Sequence, residues 1–379
     1  MNDLISSRLR HRVRTLSTIL GETMTRQHGQ TFLSKVEEIR LLAKANRQSV
    51  TDPDNSVKGD HEQLRQVLNK LDDESLISVA RAFNQFLNLT NIAEQAESTE
   101  TVIGSQLEEL FTRLISKGID EQRVLETITS MRCDLVLTAH PTEITRRTLI
   151  QKYNRIASAL NDVNEDKELD TQERLDLERL IAEVWFTDEI RTERPTPQDE
   201  AKWGYAVIEH SLWSAIPRLW NRLSELTLKV TGETLPLSVA PIKISSWMGG
   251  DRDGNPNVTA DVTKEILRLA RWMAADLYLR DVEELLSQLS MSNCSSELAA
   301  ECPQGVDEPY RHILRSLRER LAATRTWAET SEPPEPGLIH SDADLIAPLQ
   351  LCYDSLLLCG MDIIADGLLK ETLIRANTF

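Results

Sequence analysis

Several features that define common protein classes are missing from this 379-residue sequence. Its five cysteines are widely spaced and form no C-x-x-C pair, which argues against a disulfide framework and favours a reducing, cytoplasmic environment. Its seven histidines include no H-x-x-x-H pair, a spacing found in many zinc sites. We therefore expect neither a disulfide scaffold nor a zinc site built on that spacing.

Positive charge is also scarce. Lys and Arg number 43 against 60 Asp and Glu, a net charge of −17, which argues against a nucleic-acid partner because phosphate contact needs a basic face. A small anionic substrate is not excluded, since it responds to the local field of a cleft. No apolar run reaches membrane-spanning length, and the N-terminal arginines lack the apolar core of a secretory signal. We expect a globular protein without a membrane segment.

Strand-like segments are few, and most of the chain has helical periodicity. Apolar stripes with a spacing of three or four residues predict helices at Leu149–Leu160, Leu177–Trp185 and Val262–Met273. Polar, Pro- or Gly-containing stretches predict loops at 46–60, 97–105, 162–171 and 329–337. The only strand candidates are Leu135–Thr138 and Ile242–Trp247, and two strands cannot close a barrel. The predicted fold is mainly α with a few parallel β strands.

The first candidate strand ends in Thr-Ala-His-Pro-Thr-Glu, with His140 before Pro141. A residue that precedes proline is pushed into extended geometry, and Pro suits the first position of a helix, so His140 is predicted at a strand-to-helix corner. Arg146 and Arg147 follow one turn further on. This combination suits proton transfer on an anionic substrate. The alternative is that His140 only caps the following helix.

The second strand candidate runs into Ser245-Ser-Trp-Met-Gly-Gly-Asp-Arg-Asp-Gly-Asn-Pro-Asn-Val-Thr259. Gly249 and Gly250 permit a tight turn or the close approach of a ligand, and Thr259 is a candidate helix cap. An EF-hand reading fails because the glycine and the terminal glutamate are not at the required positions. Arg252 and Asp253 concentrate charge at the turn. The segment is either a pocket rim or a rigid surface turn held by local hydrogen bonds.

A third segment, Trp185 to Gly204, carries Arg191 and Arg194 among several acids and two prolines. The arginines either contact an anion or pair with Asp188, Glu189 and Glu193, which is the commoner role of such charge runs.

Taken together, L-V-L-T-A-H-P-T-E-I-T-R-R, T-D-E-I-R-x-x-R-P-T-P-Q-D-E-A-K-W-G and S-W-M-G-G-D-R-D-G-N-P-N-V-T resemble phosphoenolpyruvate carboxylase of the bacterial type, over the whole chain. The resemblance implies the conversion of phosphoenolpyruvate and bicarbonate to oxaloacetate and phosphate. His140 matches the family's general base, and Trp247 matches a residue of the pocket for the bicarbonate-derived carbon. We assign Arg146, Arg147, Arg252 and Asp253 to substrate binding. Arg191 matches an effector-binding arginine, although Thr192 replaces its neighbour.

The same resemblance implies a helix-rich, TIM-like α/β barrel of which this chain holds the first part. It predicts an N-terminal helical region over 1–130 and the incomplete barrel over 131–379. The family uses Mg²⁺ or Mn²⁺, whose ligands we expect in a C-terminal portion beyond Phe379, and it forms homotetramers. We therefore expect the chain alone to be inactive. The alternative is a non-catalytic helical protein that acts only in binding or assembly.

Overall fold

The computed structural model describes residues 7–51, 59–138, 147–160, 163, 169–189, 195–252, 254–330 and 337–379. Helices dominate these residues, and two parallel strands accompany them, as the sequence predicts. The elements in chain order are α1 Ser7–His28, α2 Gln30–Thr51, α3 Gly59–Leu68, α4 Asp73–Ser116, α5 Glu121–Ser130, β1 Cys133–Leu137, α6 Arg147–Ala159, α7 Thr171–Trp185, α8 Pro197–Val207, a π-helical turn Ile208–Leu212, α9 Trp213–Thr231, β2 Ile242–Ser246, α10 Ala260–Gln288, α11 Ser296–Ala300, α12 Pro309–Thr330, α13 Asp342–Leu358, α14 Asp362–Ala365 and α15 Leu368–Thr378.

The chain forms two compact units, and each is discontinuous in sequence. Unit 1 contains residues 1–105 and 145–192, and unit 2 contains residues 106–144 and 193–379. This partition does not coincide with the sequence-based division between residues 130 and 131. The physical reason is that the buried faces of α6 and α7 pack with the N-terminal helices, whereas α5 packs on α9.

The core of unit 1 is formed by the apolar stripes of α1, α2, α4, α6 and α7. The predicted stripes in α6 and α7 are confirmed, because Leu149, Ile156, Leu177 and Trp185 are all buried. Arg12 is buried among them, and its Nε donates to the carbonyl of Val163 at 3.1 Å. A charged side chain thus ties α1 to the segment between α6 and α7.

The main core of unit 2 lies where α10, α12, α13 and α15 pack together. A shielded ion pair joins α10 to α15, with Arg375 Nη1 at 2.8 Å from Asp281 Oδ2. The guanidinium also lies over the Trp213 ring, and its Nε donates to the Trp213 carbonyl. These contacts fix the last helix against α9 and α10.

Two of the predicted loops need correction. The loop predicted over residues 46–60 begins too early, since α2 continues to Thr51. The loop predicted over residues 97–105 is wrong, since α4 continues through that stretch from Asp73 to Ser116. The stretch is polar but contains no proline, so nothing in it interrupts the helical hydrogen bonds.

Among the described residues, no helix combines the length and the apolar character needed to cross a membrane.

Candidate active site

The two strands bring Leu137 and Trp247 to one edge of unit 2. β1 and β2 are parallel and pair in register from Cys133 with Ile242 to Leu137 with Ser246. The pairing continues one step further, because the Trp247 amide donates to the Leu137 carbonyl at 3.0 Å. The carboxyl ends of both strands therefore lie side by side, the position where open α/β proteins and barrels place their sites.

A tight turn follows β2. The amides of Gly250 and Asp251 both donate to the carbonyl of Trp247 at 2.9 Å, and the Ser246 hydroxyl accepts from the Met248 amide. Gly249 adopts a φ of 72°, which L side chains rarely adopt. A Cβ on Gly249 would also overlap the Ile266 side chain. The sequence-based expectation of a tight turn at Gly249 is confirmed.

Helix α10 holds this turn in place. The Thr263 hydroxyl donates to the Gly249 carbonyl at 2.6 Å, and Thr259 caps the helix by accepting from the Val262 amide. The predicted capping role of Thr259 is confirmed. The turn is therefore braced by a helix that begins directly after it, and its hydrogen bonds do not depend on local Asp and Asn side chains alone.

Helix α8 packs beneath the strand ends. A Cβ on Gly204 would overlap the end of the Met248 side chain and would reach the Leu137 side chain at 4.0 Å. Proline at its first position and the Thr196–Asp199 capping box fix where this helix begins. The close approach at Gly204 brings α8 against the end of β1 and the turn after β2.

An apolar cavity of about 310 Å³ lies between these elements. Its wall includes Leu137, Tyr205, Met248, Ile266, Met273 and Phe379. Burial raises the pKa of Tyr205, whose hydroxyl donates to the Ile266 carbonyl at 3.5 Å. The cavity adjoins the turn through Met248 and Gly250, so the strand ends border a mainly apolar cavity.

Comparison with known proteins decides the family. The family model of phosphoenolpyruvate carboxylase matches residues 9–379. The chain belongs to the phosphoenolpyruvate carboxylase family. It is 50% identical over 391 residues to phosphoenolpyruvate carboxylase from Pseudomonas fluorescens (strain Pf0-1), with 99% of this chain and 43% of the relative covered. It is 48% identical over 389 residues to the enzyme of that name from Hahella chejuensis (strain KCTC 2396), with 98% and 43% covered. The chain thus spans less than half the length of these curated relatives.

The residues that the carboxylase resemblance singled out differ in how far the structure describes them. His140, Arg146, Arg191 and Asp253 lie outside the described residues, and of Arg147 only its position as the first residue of α6 is described. Trp247 and Arg252 are described, and both are exposed, Trp247 with 57% of its surface accessible. Their assignments remain predictions.

Two of the acids proposed as partners of Arg191 and Arg194 have other contacts in unit 1. Asp188 pairs with Arg81 at 2.9 Å, and Glu189 accepts hydrogen bonds from the amides of Asn84 and Gln85. All three donors belong to α4, so the sequence around Arg191 could not reveal them.

Glu200 is a site neighbour that the sequence-based argument missed. It lies in α8, one turn before Gly204, and only 8% of its surface is accessible. Burial, and secondarily the charge of Asp199, raise the pKa of this carboxyl. In the sequence it reads as one more charge in a solvated run. Gly204, four residues later on the same face of α8, was the sequence signal for this burial. A glycine within a helix can mark the face on which neighbouring side chains pack closely.

The divalent metal of phosphoenolpyruvate carboxylases finds no matching donor set here. Among the described residues, no group of three or more His, Cys, Asp or Glu side chains is arranged to hold a metal ion. The described part of the chain therefore does not fit the metal, and no catalytic step is assigned through it.

Proposed function

We propose that this chain provides the N-terminal part of a phosphoenolpyruvate carboxylase, which converts phosphoenolpyruvate and bicarbonate to oxaloacetate and phosphate. Bicarbonate attacks the phosphoryl group, giving carboxyphosphate and the enolate of pyruvate. Carboxyphosphate yields carbon dioxide, which the enolate captures. The observation that carries the proposal is the in-register pairing of β1 with β2, because the His140 motif follows β1 in the sequence and Trp247 follows β2.

In this scheme His140 is the general base that removes the proton from carboxyphosphate. Imidazole titrates near neutrality, which suits it to accept a proton at physiological pH. Arg146, Arg147 and Arg252 provide positive charge for the anionic substrates, and Asp253 follows Arg252 in the sequence and also belongs to the substrate site. Support for this role comes from the sequence, in which His140 stands three residues after Leu137, the last residue of β1.

Trp247 forms an apolar wall for the carbon dioxide intermediate and the enolate. Excluding water at this wall protects both species from hydrolysis and protonation. Two observations support the assignment. The indole is exposed at the carboxyl edge of the strands, and the next residue, Met248, is buried and lines the apolar cavity.

The remaining features of the proposal concern the complete enzyme. We assign the two strands to a helix-rich α/β barrel, the Mg²⁺ or Mn²⁺ ligands to a further C-terminal portion, and Arg191 to an effector site. The complete enzyme is proposed to be a cytoplasmic homotetramer. The length of the curated relatives, of which this chain matches 43%, supports a further portion.

The test is reconstitution. The purified chain is assayed for oxaloacetate in a coupled NADH assay, alone and mixed with the separately produced remainder of the Pseudomonas fluorescens relative. We expect no activity alone and measurable activity in the mixture. His140→Asn should reduce the reconstituted rate by at least about 100-fold, the usual contribution of a general base.

His340→Asn is the matched control, since that histidine is exposed at the N-terminal end of α13, and it should leave the rate unchanged. Activity of the chain alone would contradict the division of the site between two portions. A mixture that associates but stays inactive would favour the alternative, a helical protein that acts only in binding or assembly.

A further inference from the structure

Four of the five cysteines converge on one region of unit 2 although they belong to separate segments. Cys294 precedes α11, Cys302 follows it, Cys352 lies within α13, and Cys359 ends α13. All five cysteines are free thiols. The grouping is not visible in the sequence, where the four are spread between positions 294 and 359.

Hydrogen bonds of neighbouring residues hold this thiol cluster together. The Ser295 amide donates to the Ser355 hydroxyl at 2.8 Å, which brings the Cys294 backbone to α13. Ser355 also shares a hydrogen bond of 2.9 Å with the Tyr310 hydroxyl. The Cys359 amide donates to the Ser355 carbonyl, so Cys359 lies one turn further along the same face of α13.

The electrostatics of the region report the same proximity. The pKa of Tyr310 is raised to about 12. Burial is the main cause, and the charges of Cys359, Cys294 and Cys352 contribute to the rise. Burial likewise raises the pKa of Cys294, with a further contribution from the charge of Cys359. Burial, and after it the charges of Cys294 and Glu301, also raise the pKa of Cys302, so these effects support the cluster as a whole.

We propose that Cys294 and Cys359 form a reversible disulfide, a thiol-modification site that links the segment before α11 to the end of α13. Cys294, Cys302 and Cys359 are all partly exposed and Cys352 is buried. Of the three partly exposed thiols, that of Cys302 already donates to the Pro309 carbonyl. Gly360, with a φ of 69°, ends the helix directly after Cys359. A thiol at a helix end can meet the geometry of a disulfide with a smaller backbone shift than one inside a helix.

The oxidant is a small-molecule disulfide such as oxidised glutathione. One protein thiol loses its proton, and the thiolate attacks a sulfur of the small disulfide and releases one small thiol. The second protein thiol then loses its proton and attacks the mixed disulfide, which releases the second small thiol. Two electrons pass to the oxidant and both protons end on the released thiols. An excess of the small thiol reverses the reaction.

The reaction is tested on the full 379-residue chain, equilibrated with oxidised and reduced glutathione at several ratios and quenched with N-ethylmaleimide. A protease that cleaves at acidic residues separates Cys294 from Cys302 at Glu297 and Glu301, and Cys352 from Cys359 at Asp354. Non-reducing mass spectrometry should then detect a peptide pair linked through Cys294 and Cys359. Two of the five thiols should disappear from the thiol count and return after reduction.

Cys359→Ser and Cys294→Ser should each abolish the linked pair. Cys133→Ser, which removes the exposed thiol of β1, should leave it intact. Because the pKa of Cys294 is raised, the linkage should form faster as the pH rises from 7 to 9. Full alkylation of all five cysteines under oxidising ratios, or a linked pair that persists in Cys359→Ser, would overturn the proposal.

Discussion

Gly249 is a single residue on which the geometry of the turn after β2 depends. It combines a φ of 72° with a position at which any Cβ meets Ile266. Gly254 has a similar φ of 76° but no neighbouring atom in the way. The two glycines separate the cost of the backbone conformation from the cost of the contact.

We predict that Gly249→Ala lowers the free energy of unfolding by about 2–4 kcal/mol, from the left-handed backbone and the overpacked contact together. The matched Gly254→Ala should cost about 1 kcal/mol, from the backbone alone. Urea denaturation of the three proteins measures the difference. Equal losses in the two variants would mean that Ile266 does not limit the turn.

The Asp281–Arg375 pair gives a second prediction at this scale. Both side chains are shielded, and burial raises the pKa of Asp281, with Arg375 acting in the opposite direction. Arg375→Met would leave the carboxylate without its counter-charge and should cost about 3–5 kcal/mol in the free energy of unfolding. The double variant Asp281→Leu with Arg375→Met should lose less, because no unpaired charge remains.

The pH dependence of the unfolding free energy tests whether the unpaired Asp281 carboxylate causes the loss of stability in Arg375→Met. Because burial places the pKa of Asp281 in the folded chain above its unfolded value, protonation favours the folded state. The deficit of Arg375→Met should therefore shrink as the pH falls from neutrality through that raised pKa. A deficit that stays constant with pH would point to lost packing of the Arg375 stem.

At the scale of elements, the capping box formed by Ser341 and Asp344 fixes where α13 begins. Asp344 accepts hydrogen bonds from the amides of His340 and Ser341 at 2.9 Å and pairs with Arg320 at 2.7 Å. These partners, Arg320 first, lower the pKa of Asp344 below its usual value.

We predict that Asp344→Asn lowers the melting temperature at neutral pH and that the deficit fades in acid. A lowered pKa in the folded state gives stability that is present above the unfolded value, about 3.9, and is lost as the pH falls below it. Asp342→Asn removes the same charge from the same turn without the Arg320 contact, and it should have the smaller effect. Thermal unfolding between pH 7 and pH 3 measures both.

The elements also show what the sequence can predict. Apolar stripes identified α6, α7 and α10 because each stripe is repeated over more than two turns. The two strands were identified because each is a short segment with apolar residues that ends at unusual polar residues. Residues 97–105 were misjudged because a polar stretch without proline is compatible with either a loop or an exposed helix. Local sequence cannot separate these two states.

Only part of the candidate site could be predicted from the sequence. The Gly249 turn and the Thr259 cap follow from local rules about glycine and side-chain capping, and both could be predicted. The position of α8, the burial of Glu200 and the partners of Asp188 depend on contacts between distant segments. No spacing in a single sequence encodes such contacts.

At the scale of the whole molecule, an exposed apolar patch lies around the end of α13. Leu357, Leu358, Ile363 and Ile364 are all exposed, Ile363 with 87% of its surface accessible. Leu349, Leu356, Leu369 and Leu373 of the same region are buried, so the apolar side chains here are divided between the core and the surface.

We predict that the purified chain self-associates through this patch, because exposed apolar clusters promote association. Replacing Leu358 and Ile363 with Lys should shift the chain toward the monomer in sedimentation velocity. Leu41→Lys, at an isolated exposed leucine of α2, is the control and should leave the distribution unchanged. A wild-type chain that sediments as a monomer would contradict the prediction.

The parallel pairing of β1 with β2 also has a consequence for how the chain folds. Roughly 110 residues separate the paired positions of the two strands, and part of that interval folds into unit 1. Because the strands are so far apart in sequence, we expect their pairing to form late in folding. During synthesis at roughly 5–20 residues per second, β1 emerges about 5–20 seconds before its partner. Through that interval Leu135 and Val136 offer an unpaired strand edge. Chaperone capture of nascent chains should therefore be strongest between the synthesis of the first strand and that of the second.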